Sequence, residues 1–290
     1  MYLLLVPVIA YFVMFHYIPM VGIQIAFRDY KLREGVSASP WVGLYHFERF
    51  FNSYQSTQTI VNTVSLSLLT LVFCFPFPIF MALVFNELKH ERTKRFVRTI
   101  TYAPHFVSTV VVVGMMVSMC ALETGIVNKI LLFFRLTDEP LYLMGKGEYF
   151  RMMYVVSDIW KNAGWDAIIF ISALSAIDIS LYEAAKVDGA SRLQQLLYIT
   201  LPSIVPTIVI LLILRCGSIM SIGHEKVFAM QNDLNLSVSE VISTYTYKQG
   251  INELHYDYST AIGFFNSVIN LIMVLSVNAI SKRLTETSLW

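Results

Sequence analysis

The sequence predicts an all-α polytopic membrane protein with six transmembrane helices. Three observations carry that prediction. Hydrophobic residues make up 56% of the 290 residues and charged residues only 14%, against about 25% charged in an ordinary soluble domain. Mean hydropathy is +0.60. Six apolar stretches, 3–27, 60–85, 101–121, 153–177, 203–222 and 260–280, are each close to or above the roughly 20 residues that a helix needs to cross a bilayer. A chain of this length could bury a large core in water, but it would still need a polar surface. A lipid-facing surface removes that need, and residues 1–290 are read as one membrane domain.

The first stretch begins like a signal peptide. It has no basic lead and no small-residue cleavage site, and its apolar run continues to Phe27, so it is read as a retained span. No charge precedes Arg28, which is unusual for a first span and points to a short basic lead ahead of Met1. The second span carries Pro76 and Pro78 at its middle. Each removes a backbone donor, which predicts a kink or local opening. Such breaks are tolerated in membranes where the helix lines a cavity or packs on protein. The fourth span is the least apolar, with Asp158, Lys161 and Asp166. Asp158 and Lys161 are three apart and are expected to pair on one helix face. Arg215 lies within the fifth span, and Asn266 and Asn270 share a face of the sixth. Aromatic residues in 40–54 and at Tyr142, Tyr149, Phe150 and Tyr154 suit the membrane–water interface.

Orientation follows from the basic residues outside the spans. Segments 86–100, 178–202 and the end beyond 280 hold nine Lys and Arg in 50 positions, including Lys89, Arg92, Lys94, Arg95 and Arg98. Segments 28–59, 122–152 and 223–259 hold ten in 100 positions, with twelve acidic residues. Basic residues concentrate on the cytoplasmic side, which predicts cytoplasmic N- and C-termini and a cytoplasmic 178–202 segment.

Composition and motif content narrow the function. Net charge is +1, so no basic excess recommends nucleic acid as a partner. No G-x-x-x-x-G-K-[ST] segment occurs, so any ATP-driven step is assigned to a partner. Six scattered histidines and the lack of an H-E-x-x-H or clustered carboxylates lead to the expectation of no catalytic residue, no metal and no cofactor in this chain. Cys74, Cys120 and Cys216 lie in apolar runs without a CxxC pair and are read as packing residues. A secondary transporter would show inverted repeats or a buried acidic relay. A membrane enzyme would cluster His, Asp or Glu at a membrane edge. Neither pattern is visible.

The segment 177–202, IDISLYEAAKVDGASRLQQLLYITLP, reads as two short helices. Ser180 with Glu183 and Ser191 with Gln194 have the spacing of capping boxes. Gly189 ends or turns the first helix, and Leu193, Leu196 and Leu197 give the second an apolar stripe. The hairpin is too short and polar to cross a bilayer. A docking knob and an inert connector are both open readings of these residues.

Glu183-Ala184-Ala185, then Gly189, then Ile199-x-Leu201-Pro202 resembles the EAA loop of binding-protein-dependent ABC importer permeases. PWVGLYHFERF, FVRTITYAPHF, SDIWKNAGWDAIIF and TYTYKQG are similar to the carbohydrate-uptake branch, the LplB-like permeases of complex oligosaccharides. The resemblance implies a type I ABC importer permease fold. It implies a coupling helix formed by Glu183, Ala184, Ala185 and Gly189, with Ile199, Leu201 and Pro202 fixing its return to the membrane. The implied partners are a second homologous permease, two ATPase subunits that bind ATP and Mg, an extracellular solute-binding protein and a carbohydrate. For the translocation pathway the candidates are polar and aromatic residues within spans: Trp160, Trp165, Asp166, Arg215, Asn266 and Asn270. A permease of the same class for a non-sugar solute is the alternative.

Overall fold

The structure, a computed structural model, describes residues 5–88, 90–285, 288 and 289. Residues 1–4 of the predicted first span, and Lys89 of the predicted basic segment, lie outside them. Among the described residues the only β-pairing is an isolated bridge between Arg28 and Trp41. Four helices among the described residues are each long and apolar enough to cross a membrane: α1 (Val6–Phe27), α3 (Tyr54–Glu87), α9 (Arg192–Cys216) and α12 (Tyr256–Thr285). Other helices include α2 (Tyr45–Phe51), α4 (Glu91–Tyr102), α5 (Thr109–Met119), α6 (Ile126–Phe133), α7 (Gly147–Ser175), α8 (Ile179–Val187), α10 (His224–Met230) and α11 (Ile242–Tyr247).

The other two predicted spans are bent. The segment read as 101–121 is α4 with a 3₁₀ turn (Ala103–Phe106), followed by α5 at 100° to it. Pro104 cannot continue the α-helical ladder, and the Ser108 side chain then accepts the Val111 N–H to start α5 afresh. The segment read as 153–177 is α7, which begins at Gly147 and ends at Ser175 before α8 leaves at 66°. The fifth span also differs from expectation. It ends at Cys216 rather than 222 and begins at Arg192, so the second helix of the hairpin and the span are one rod.

Proline explains three of the irregular turns. Of the four wide π turns among the described residues, Val13–Tyr17, Thr70–Cys74 and Leu196–Thr200 each stop two residues before a proline (Pro19, Pro76 and Pro202), and the fourth, Lys248–Asn252, does not. A proline leaves the carbonyl four residues back without its donor. That carbonyl belongs to the middle residue of each of those three turns (Phe15, Val72, Tyr198), and widening by one residue offers it the next N–H along. The kink expected in the second span is therefore a local opening just ahead of Pro76.

The chain divides into two compact units: residues up to 63 with 240–269, and 64–239 with the residues from 270 onward. Unit 1 buries Phe50, Tyr245 and Tyr258. Its polar centre is Asp257, which accepts the Tyr30 N–H at 3.2 Å and lies 3.5 Å from the buried His46, whose Nε2 meets the Arg28 carbonyl at 2.9 Å. None of the apolar window of α1 is buried, as a lipid- or protein-facing span requires. In unit 2 the core is Ala82, Ala167, Phe170, Leu174 and Ile204, where α3, α7 and α9 meet. Ala82 and Ala167 are fully buried; small side chains let membrane helices approach closely. Gly164 packs α7 directly on backbone, because a Cβ there would lie 2.2 Å from the Thr101 carbonyl oxygen. Phe150 and Tyr154, expected at the interface, are instead buried in this unit. Cys74, Cys120 and Cys216 are free and buried.

Candidate functional site

The 178–202 hairpin is built by local chemistry. Asp178 caps α8, its Oδ1 accepting the Ser180 N–H at 2.9 Å. The Ser180–Glu183 box expected from spacing does not form, since α8 starts at Ile179 and leaves Ser180 already helical. Accepting that N–H holds the Asp178 carboxyl below its ordinary pKa. At the other end Gly189 takes φ +78°, and the Ala190 N–H reaches the Ala185 carbonyl at 2.8 Å. That is the helix stop that favours glycine. Ser191 and Gln194 then form the expected box, with Ser191 N–H donating to Gln194 Oε1 at 2.7 Å and Gln194 N–H to Ser191 Oγ at 3.4 Å. The Tyr182 hydroxyl and Thr200 Oγ1, 2.8 Å apart, pin α8 to the root of α9.

No residue of α8 is buried. Glu183, Ala184 and Gly189 are exposed and Ala185 half-buried, while Val187 is 88% exposed. Leu193 and Tyr198 on the following turns are exposed as well, so the leucine stripe does not close inward. Ile199 and Leu201 are half-buried and Pro202 is exposed. An apolar, small-residue surface left open on a well-capped rod is suited to receiving another protein.

Charge marks the second feature. The six predicted spans contain only four charged residues, Asp158, Lys161, Asp166 and Arg215. All four line two adjoining cavities of about 280 and 290 Å³, which share Arg215 and Ser218. These volumes are at the lower edge of small-molecule sites, roughly 300–1,000 Å³. A charged side chain in a span costs about 3 kcal/mol to insert, so a convergence of all four requires a reason.

Part of the reason is a buried pair. Lys226 of α10, 7% exposed, donates from Nζ to Asp158 Oδ1 at 3.2 Å and to the Tyr154 carbonyl at 2.9 Å, and sits 4.1 Å over the Tyr154 ring. Asn162 Nδ2 also donates to Asp158 Oδ1 at 3.2 Å, and Asn162 Oδ1 faces His105 Nδ1 at 3.2 Å. With Asn162 oriented this way, His105 must carry its proton on Nδ1. The expected Asp158–Lys161 pair is absent: Lys161 Nζ donates to Thr109 Oγ1 at 2.9 Å. The first cavity is completed by the hydroxyls of Ser67, Thr70, Ser218 and Ser221.

The protein family described as binding-protein-dependent transport system inner membrane component matches residues 60–286. The chain belongs to that family. It is 41% identical to Protein LplB of Bacillus subtilis (strain 168), over all of this chain and 91% of the relative. It is 40% identical to the polygalacturonan/rhamnogalacturonan transport system permease protein YteP of the same organism, over all of this chain and 90% of that one. Among solved structures, it matches a chain of a bacterial alginate ABC transporter in complex with alginate pentasaccharide-bound periplasmic protein. There the TM-score is 0.91 at 41% identity, over 99% of this chain and 96% of that one. As a member of this family the permease is a non-catalytic membrane component.

Of the residues predicted for a pathway, the permease brings Asp166 and Arg215 to one cavity wall. The other four line neither cavity. Trp160 is half exposed, and Trp165 stacks on His105 at 4.6 Å. Asn270 fastens the broken segment after α9, its Oδ1 accepting the Met220 N–H at 3.0 Å and its Nδ2 donating to Ser221 Oγ at 2.9 Å. Asn266 Oδ1 is buried without a hydrogen-bond partner among the described residues. Lys226 escaped sequence reasoning because it lies in a stretch read as an outer loop. Its place directly ahead of the apolar run 227–230, whose Val227 and Met230 are buried, was the available signal.

Proposed function

We propose that this chain is one half of the translocation pathway of an ATP-driven oligosaccharide importer, and that α8 and Gly189 carry its coupling to a separate ATPase. The observation that carries the reading is the hairpin. Glu183 and Ala184 are exposed and Ala185 half-buried on a helix fixed at both ends by Asp178 and the exposed Gly189 turn. A connector with no partner has no use for that exposure. The wide turn at Leu196–Thr200, which overlaps the start of Ile199-x-Leu201-Pro202, sets the rotation of the hairpin about the span.

The names of the similar systems, for polygalacturonan/rhamnogalacturonan and for alginate, support a carbohydrate cargo. The hydroxyl-lined cavity supports it as well, since sugar hydroxyls pair with side-chain hydroxyls and amides. The complete machine contains a second permease, two ATPase subunits and a solute-binding protein outside. The density of basic residues supports cytoplasmic termini and a cytoplasmic hairpin. ATP closing the ATPases and hydrolysis resetting them then move a two-state pore through the hairpins.

The test is uptake by proteoliposomes holding this chain with its partner permease and ATPases. Labelled oligosaccharide enters only with ATP on the hairpin side and loaded binding protein on the other. Uptake that continues without ATP would show a secondary transporter instead.

A further inference from the structure

The charged wall of the first cavity bears on which oligosaccharide is carried. Three basic residues, Lys161, Arg215 and Lys226, and two acidic ones, Asp158 and Glu225, line it. They are not equivalent. Asp158 and Lys226 neutralise each other in the buried pair, and Asn162 adds a second donor to Asp158. Glu225 is exposed in the first turn of α10, where an acidic side chain complements the helix N-terminus. Lys161 rests on the neutral Thr109 hydroxyl. Arg215 is exposed and forms no ion pair within 4 Å among the described residues. Asp166 lines the neighbouring cavity with Arg215, otherwise among apolar residues such as Phe75, Ile169 and Leu214, and makes no such pair either.

Two cations in the predicted spans therefore face a hydroxyl-lined cavity without a bound carboxylate of their own. Membrane helices keep such charges where they line a solute path. An arginine fork and an ammonium recognise carboxylates by charge-assisted hydrogen bonds.

We propose that Arg215 and Lys161 form a carboxylate-binding pair that makes this permease selective for oligosaccharides of uronic acids, with the cavity hydroxyls taking the ring hydroxyls. The assignment rests on the importer reading above.

The binding protein has its own selectivity, so the test omits it. Purified full complexes bind a labelled alginate pentasaccharide and a galacturonate tetrasaccharide, each beside its carboxyl-reduced neutral counterpart. At least one acidic probe binds more tightly than its neutral form, and more weakly as salt rises. Arg215→Gln and Lys161→Gln each weaken that binding about tenfold, the worth of one charge-assisted hydrogen bond. Arg215→Lys keeps most of it, and binding of the neutral probe changes less than about threefold. Co-purification with the ATPase shows that each variant assembles. If Arg215→Gln does not assemble, the same comparison is read on Lys161→Gln. Equal losses for acidic and neutral probes, no loss in the variants, or no binding of either acid would overturn the proposal. Oligosaccharide uptake that persists in such a case leaves the importer reading standing; no uptake of any oligosaccharide removes both.

Discussion

Lys226 and Asp158 show how much one residue pair can decide. Their side chains are 9% and 15% exposed and 3.2 Å apart, and Lys226 ties α10 to α7 through the Tyr154 carbonyl as well. Removing one member of a buried pair strands the other charge, at a cost of about 3 kcal/mol or more. Asp158→Asn and Lys226→Met should each lower the thermal midpoint of the purified complex, and the double variant should recover part of the loss. Additive losses in this cycle would show that the two charges do not act as a pair. Gly164 is as demanding in a different way. With the Thr101 carbonyl at 2.2 Å from where a Cβ would be, Gly164→Ala should cost about 1–3 kcal/mol by overpacking, read as a lower midpoint. At this scale the sequence was only partly legible. Arg215 and Asp166 were conspicuous as charges in apolar runs. The partner of Asp158 was not, because Lys226 is 68 residues away and spacing rules reach only one helical turn.

The hairpin and its root act as elements. Asp178 has a depressed pKa from the Ser180 N–H, so its contribution is present above the ordinary carboxylate range and is lost only as pH falls through the lowered value. Hydrogen exchange at the Ser180 amide should therefore stay protected from neutral pH down past the usual carboxylate pKa. Asp178→Ala should lose that protection at neutral pH and Asp178→Asn should keep it; protection in the alanine variant would refute the cap. At the root, Pro202→Ala restores the missing donor and with it the reason for the wide turn at Leu196–Thr200. A regular helix there would rotate the hairpin relative to the span by about 100°, one residue's worth of an α-helix. The variant should still assemble but lose most substrate-stimulated ATP hydrolysis; full stimulation would show that the turn's angle is immaterial. Helix types and the Gly189 stop were readable because their signals are local. The bends were not, since hydropathy averages over the 100° break between Phe106 and Thr109 and cannot separate a straight span from two shorter helices.

For the whole molecule, the account makes this chain half a pore with no motor. The apolar faces of α1 and the exposed hairpin are the surfaces that the proposed assembly would cover with lipid, a second permease and an ATPase. Composition revealed the membrane class because too few charges exist to cover a soluble surface. The proposed coupling surface rests on the Glu183–Gly189 motif, whereas the convergence of four span charges on adjoining cavities depends on packing that no single stretch records. The central claim, that α8 and Gly189 transmit between this permease and a separate ATPase, is most directly tested by ATP hydrolysis of the reconstituted complex with Gly189→Trp. A Cβ at Gly189 meets nothing within 4 Å, although φ +78° strains any side chain there, so the variant should fold and assemble while presenting a bulky ring on the docking face. The account predicts that loaded binding protein stimulates hydrolysis in the unaltered complex and fails to do so in the variant. Unchanged stimulation in an assembled Gly189→Trp complex would contradict it.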